Sequence, residues 1–281
     1  MTASIAGQWP FEPVVLVSCV LALALFFRGF FELRRRGRVN HAGWGRAVLF
    51  VTAVVLMYGA LASPLAVASD RLLAAHMLTH LLLGDLAIVL GMLAVRGPLV
   101  FFLLPPSILG PLARSKGLRL LLHRLTGPWV ALGVWTASMW IWHVPRFYDF
   151  AERHPVVHEL EHLSFLLGGV LLWNLLIDPA RSGRLSVGGR LVLAVAAFVL
   201  GDFVMGPMFD GGLTYTFYDE QTDRLFGVSP AADRRAAALL MFGEQTLTLG
   251  TCMIVLLLRY LDESAAREPT AAADESRPTS G

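Results

Sequence analysis

Residues 140–173 read WIWHVPRFYDFAERHPVVHELEHLSFLLGGVLLW, and the interpretation of the chain begins with this stretch. His158 and His162 are four residues apart at the start of an otherwise apolar segment. Pro155 suits the first turn of a helix, because proline has no N–H to donate and its φ is preset. Residues four apart lie on nearly the same face of a helix, about 6 Å apart along its axis. Two imidazoles can therefore reach one ion from that face.

A second pair with the same spacing, His76 and His80, lies in the segment HMLTHLLL. The two pairs can form one site only if their helices are neighbours and place the pairs at the same depth. The arrangement of the helices in a membrane decides this, and composition shows that a membrane is the relevant setting.

The chain has 281 residues, of which 56% are hydrophobic and 16% charged, and its mean hydropathy is +0.61. Charged residues cluster between apolar runs of roughly 18 to 25 residues, the length that crosses a bilayer as a helix. The composition predicts an all-α, polytopic membrane protein. Basic residues flank the apolar runs, as membrane topology requires, so the lipid bilayer is an expected partner and nucleic acid is not.

The predicted domain is a bundle of seven transmembrane helices within residues 1–259, with spans at about 12–31, 46–66, 72–95, 128–144, 156–177, 190–209 and 234–259. The first span lacks the basic leader and small-residue cleavage site of a signal peptide and is expected to be retained. Residues 98–127 are predicted to form a half-inserted turn and an amphipathic helix on the membrane surface. Residues 260–281 are predicted to be a disordered cytoplasmic tail.

The distribution of lysine and arginine predicts the orientation. With the N-terminus outside and the C-terminus inside, 17 of the 23 basic residues lie on the inner side and 6 on the outer side. Positively charged loops favour the cytoplasmic side, so this orientation is preferred. It makes the third and fifth spans parallel, with both histidine pairs near the outer face.

Five imidazoles are thereby predicted at one depth and form a candidate metal site: His76, His80, His143, His158 and His162. Ionisable side chains within spans are costly and often mark a functional site. Imidazole suits copper, zinc, iron and nickel, and nearby methionines would favour Cu(I). Glu161 and Asp149 are the acids expected to orient these imidazoles by hydrogen bonds. The alternative is that the histidines are interfacial residues that only make hydrogen bonds.

Three acids are predicted deeper in the spans, namely Asp85, Asp202 and Glu244. Hydrogen bonding between helices is the role that such residues commonly have. A relay for protons or ions is the other interpretation.

Several ordered motifs resemble the caa3-type CtaG family of cytochrome c oxidase assembly factors. They are HMLTHLLL, WHVPRFYDFA, HELEHLSFLLGGVLLW and SPAADRRAAALLMF, which together cover about residues 70–250. The resemblance implies a multi-pass protein of the bacterial plasma membrane that helps to build a haem–copper oxidase and is not an enzyme. It also implies a copper ion as the bound metal, oxidase subunit I as partner, and possible contact with a copper chaperone.

The positions that match the family motifs are His76, His80, Trp142, His143, Pro145, Tyr148, Asp149, His158, Glu161, His162, Asp233 and Met241. The chain departs from the usual family pattern at Arg234, Phe242, Gly243–Glu244 and Asp85.

Two other functions are compatible with the same residues. An intramembrane zinc hydrolase would hold zinc with three histidines and use Asp85 or Asp202 to activate the bound water. A b-type haem protein would use two histidines from different helices as axial ligands. The identity of the bound metal separates these functions from copper handling.

Overall fold

The computed structural model describes residues 5–222 and 224–275. The chain is 82% helical, and the described part contains no strand. The predicted all-α fold class is therefore confirmed. The helices are α1 Pro13–Arg35, α2 Trp44–Leu61, α3 Pro64–Ser69, α4 Leu73–Val95, α5 Pro106–Arg114, α6 Lys116–Leu125, α7 Pro128–His143, α8 Pro145–Glu152, α9 Pro155–Ile177, α10 Val187–Phe209, α11 Thr216–Asp219, α12 Pro230–Gln245 and α13 Thr251–Glu275.

Six helical segments in the described part are long and apolar enough to cross a membrane: Pro13–Arg35, Val39–Leu61, Leu73–Val95, Pro155–Ile177, Val187–Phe209 and Pro230–Ala266. The predicted span at 128–144 corresponds to α7, which has 16 residues. At 1.5 Å per residue α7 is about 24 Å long, several ångströms short of a typical hydrocarbon layer. The number of spans therefore remains a prediction.

Helices α4 and α9 lie side by side and run in the same direction. The ring centroids of His76 and His158, near their first turns, are 5.3 Å apart. Beyond their last turns, the backbone N–H of Gly97 donates to the carbonyl oxygen of Pro179 at 2.6 Å. The part of the bundle around His76 and His158 is called the histidine end, and the opposite part, around Gly97 and Pro179, is called the arginine end.

Because α4 and α9 are parallel, the chain must return between them, and α7 makes this return. Trp142, near the end of α7, donates from Nε1 to Ser164 Oγ in the first half of α9 at 2.7 Å. Trp135, one to two turns earlier, lies beside Gly168, further along α9. Helix α7 is thus antiparallel to α9 and crosses the same layer of the bundle despite its length.

Basic residues hold the arginine end together. Arg46 donates to the carbonyl oxygen of Ala94 at 3.2 Å, and Arg190 lies 2.8 Å from the carboxylate of Asp178. Burial acts to raise the pKa of Asp178, but hydrogen bonds from Gly183 and Ser182 and the charge of Arg190 outweigh it and lower that pKa. The first contact joins α2 to α4, and the second joins α10 to the end of α9.

Two segments differ from the sequence-based boundaries. Residues 97–125 form a 3₁₀ turn at Gly97–Phe102 followed by the short helices α5 and α6, where a turn and one amphipathic helix are predicted. Helix α13 continues to Glu275, past residue 259, where a disordered tail is predicted. The predicted tail beyond residue 275 lies outside the described residues.

Candidate metal centre

The start of α4 is positioned by an acid from a distant part of the chain. The carboxylate of Asp233, on α12, accepts hydrogen bonds from the backbone N–H groups of Leu73 and Ala74 at 3.0 and 2.9 Å. The first N–H groups of a helix have no partner within it, so a buried carboxylate there satisfies two of them. This contact sets where α4 begins, and His76 follows one turn later.

The two histidine pairs meet between α4 and α9. The Nε2 atoms of His76 and His80 are 2.5 Å apart, and the rings of His158 and His162 are 4.4 Å apart between centroids. Across the two helices, the His80 and His162 centroids are separated by 5.0 Å. The predicted juxtaposition of the pairs is therefore present, with His76 and His80 both buried.

Four residues bring one ligand atom each into a small volume. Donor atoms of His76, His80, His158 and Glu161 all lie within 4.8 Å of one another. Glu161 was expected only to orient an imidazole, but its Oε1 is 3.7 Å from His80 Nε2 and lies among the possible ligand atoms. Three imidazoles and one carboxylate form a donor set that zinc or copper accepts.

Glu152, which sequence reasoning missed, is the second acid at this centre. Its Oε1 lies 3.3 Å from His76 Nδ1 and 3.7 Å from His158 Nε2, and its side chain is 4% exposed. Burial, together with the negative charge of Asp70, raises the pKa of Glu152 to about 8. A cation bound nearby would favour the ionised carboxylate.

The signal for Glu152 comes from the structure and not from a sequence motif. Glu152 lies four residues after Tyr148 on α8, and Tyr148 is buried against the His76 ring with centroids 5.4 Å apart. Residues four apart on a helix face the same way, so a buried tyrosine on α8 places Glu152 inward as well.

His143 and His162 lie close to the four-residue group but outside it. Both nitrogens of His162 are buried without a hydrogen-bond partner. His143 is separated from His80 by Phe165, whose ring centroid is 4.6 Å from His80 and 6.4 Å from His143. His143 Nδ1 contacts the carbonyl oxygen of Met139 at 2.6 Å, and Nε2 has no partner. Their roles as ligands remain predictions.

Asp149 takes a different place from the predicted one. Its carboxylate accepts hydrogen bonds from the backbone N–H and hydroxyl of Thr216 and from the N–H of Phe217, at 3.1, 2.6 and 3.0 Å. It therefore caps the short helix α11, and none of its described hydrogen bonds reaches a histidine. Aspartate can cap a helix and can also orient an imidazole ring, so the sequence alone did not distinguish between these two roles.

Unpartnered polar atoms at the centre fit a bound cation. His80 Nδ1, His158 Nε2 and Glu161 Oε2 are buried and have no hydrogen-bond partner. Buried polar groups are normally paired, and leaving one unpaired costs about 1 to 3 kcal/mol. A metal ion coordinated by imidazole and carboxylate atoms would remove part of that cost.

A pocket of about 270 Å³ connects this centre with the surface at the histidine end. His158 and His162 line its inner wall, and the acids Glu12, Asp70 and Glu159 line it as well. His158 is the most accessible of the four donors, with 25% of its side chain exposed. A cation can therefore reach the centre through a pocket that is lined by acidic side chains.

The deep acids occupy two other places. Asp85 and Glu244 line a cavity of about 40 Å³ that His80 and His143 also line. Asp202 accepts a hydrogen bond from Gln245 Nε2 at 3.3 Å, which joins α10 to α12. Neither Asp85 nor Asp202 belongs to the four-residue donor group.

Comparison with known proteins identifies the family. Comparison with curated proteins and with solved structures gave no match. The family model described as cytochrome c oxidase caa3 assembly factor (Caa3_CtaG) matches residues 24–263. This match covers most of the chain and all of the histidines at the candidate centre, so the chain belongs to the Caa3_CtaG family of cytochrome c oxidase assembly factors.

Proposed function

We propose that this protein binds a copper ion at the histidine end and passes it to subunit I of cytochrome c oxidase during assembly. The observation that carries the proposal is the convergence of His76, His80, His158 and Glu161, whose donor atoms lie within 4.8 Å of one another. Family membership supports a role in oxidase assembly. Copper is the metal that the resemblance implies, and imidazole ligands suit it.

The arrangement suits transfer better than permanent storage. More donors are present than one copper ion needs, because His162 and Glu152 adjoin the four-residue group. An ion can therefore exchange one imidazole for another without passing through a poorly coordinated state. The acidic pocket next to His158 gives a route to and from the histidine end. A chaperone that delivers copper and an orientation with this end outside are parts of the proposal.

The test is element-resolved metal analysis of the detergent-purified protein, with the wild type beside His76→Ala/His80→Ala. We expect near-stoichiometric copper in the wild type, its loss in the double variant, and low oxidase activity in cells that carry the variant. His41→Ala/His123→Ala is a matched control, because it also removes two histidines but lies at the arginine end.

Each other outcome has a definite meaning. Zinc that disappears in the double variant would favour the hydrolase. A Soret band in the purified protein would favour a b-type haem protein. Unchanged copper content and oxidase activity in the double variant would refute the proposed site.

A further inference from the structure

A second group of side chains that can serve as metal ligands lies next to the histidine centre. Five of the nine methionines in the sequence pack into one cluster at the histidine end: Met77, Met139, Met205, Met208 and Met241. Four of them, all except Met208, line the cavity of about 40 Å³ between α4, α7, α10 and α12. These four side chains come from four different helices, so the cavity presents thioethers from several sides.

Two histidines border the same cavity. His143 is 4% exposed, and its Nε2 is buried without a hydrogen-bond partner. His80 also lines the cavity and at the same time belongs to the four-residue donor group. His80 therefore borders both the cavity and the proposed copper centre.

Two carboxyl groups lie on the other side of the cavity. Asp85 and Glu244 line it, and Asp85 Oδ1 and Glu244 Oε1 are buried without hydrogen-bond partners. Acids inside an apolar bundle are costly unless they meet a cation or a hydrogen-bond donor. Both lie at or next to π-helical turns, Leu82–Leu86 and Thr246–Gly250, which often occur at functional sites.

We infer that this cavity is a second metal site, which takes a soft monovalent cation of the Cu(I) class. The ligands are His143 Nε2 and thioethers from Met77, Met139, Met205 and Met241, and Asp85 and Glu244 supply compensating charge. Thioether ligands select Cu(I) over zinc and other harder ions. A cavity of about 40 Å³ has room for one ion or a few water molecules, but not for a larger ligand.

This inference deepens the proposed function, since it makes the cavity the next position of an ion that leaves the histidine centre through His80. Metal binding in the cavity can be tested separately, because none of its proposed ligands belongs to the four-residue donor group. Packing alone is the ordinary role of buried methionine. Methionine and leucine have similar volumes, so replacing one by the other preserves packing and removes the sulfur.

The experiment measures binding of Ag(I), a redox-inert substitute for Cu(I), to the detergent-purified full chain by equilibrium dialysis. We expect two equivalents in the wild type and one in Met77→Leu/Met139→Leu/Met205→Leu/Met241→Leu. One equivalent is also expected in His76→Ala/His158→Ala. Met92→Leu/Met253→Leu is the matched control and should retain two equivalents, because Met92 and Met253 pack against another part of the core.

X-ray absorption of the Cu(I)-loaded wild type gives a second readout that needs no variant. We expect sulfur scatterers around part of the copper, and their persistence in Cys19→Ser/Cys252→Ser would show that they are thioethers. Two equivalents in the four-leucine variant, or no sulfur around copper in the wild type, would overturn the second site. A single sulfur-ligated equivalent that survives in His76→Ala/His158→Ala would instead refute the histidine centre and leave the second site standing.

Discussion

At the residue scale, Glu152 shows how much a site depends on side chains that no motif marks. It lies 3.3 Å from His76 Nδ1 and 3.7 Å from His158 Nε2, so it contacts one member of each histidine pair. Tyr218 lies behind it, with the hydroxyl 3.5 Å from the other carboxylate oxygen. An acid held in this way can keep two imidazole rings in the orientation that a metal requires.

Replacing Glu152 by glutamine tests this role. Glutamine preserves the shape of the side chain but cannot provide the negative charge, so we expect metal affinity to fall by about 10- to 100-fold. Competition between the protein and a chromophoric chelator measures the change. Glu220→Gln makes the same chemical change in a side chain that is 64% exposed, and it should leave the affinity unaltered. Equal affinities of Glu152→Gln and the wild type would show that the carboxylate does not support the ligands.

The histidine pairs could be predicted from the sequence because their spacing is a property of a single helix. Helical periodicity places both histidines of each H-x-x-x-H pair on one face of their helix. The two pairs meet because α4 and α9 are parallel. The fourth donor, Glu161, was recognised as close to the site but not as a possible ligand. The capping of α11 by Asp149 depends on a loop 67 residues away, which local patterns do not reveal.

At the element scale, Gly169 allows α4 and α9 to approach closely, and Gly168 allows α7 to approach α9. A Cβ atom at Gly169 would overlap the carbonyl oxygen of Gly84 and come within 2.7 Å of Ile88 Cδ1. At Gly168 it would lie 3.0 Å from Ser138 Oγ, on α7. Small residues at helix contacts let backbones come together within a membrane. Gly169 follows His162 by two turns, so it limits the separation of α4 and α9, the helices that carry the histidine pairs.

Gly169→Ala should therefore destabilise the bundle. We expect a loss of about 1 to 3 kcal/mol from overpacking, together with weaker metal binding because the two histidine pairs move apart. Thermal unfolding in detergent and chelator competition measure the two effects. Gly133→Ala is the control on α7, since a Cβ atom there meets nothing within 4 Å and alanine favours the helix by up to about 1 kcal/mol. Equal stability of the two variants would mean that the α4–α9 contact is looser than described.

At the scale of the whole molecule, the start of α1 and Arg259 on α13 lie at opposite ends of the bundle. Helix α1 starts near the histidine end, where Glu12 lines the pocket beside His158, and α13 carries Arg259 to the arginine end beside Arg96. The antiparallel helix α7 supplies the return between α4 and α9. Hydropathy and length select six helices, whereas the contacts of α7 are those expected of a seventh crossing, which stays a prediction. Length alone could not decide this, because a short helix can cross where the bilayer thins around it.

Reporter fusions can separate six crossings from seven. With the arginine end inside, as the basic residues favour, seven crossings place the C-terminus inside and the loop at Gly211 outside. We expect a green fluorescent protein fused after Gly281 to fluoresce and an alkaline phosphatase inserted at Gly211 to be active. A fluorescent protein inserted at Gly183, at the arginine end, should also fluoresce. If α7 did not cross, every segment after it would change sides, so phosphatase activity at Gly183 together with a dark C-terminal fusion would contradict the seven-crossing arrangement.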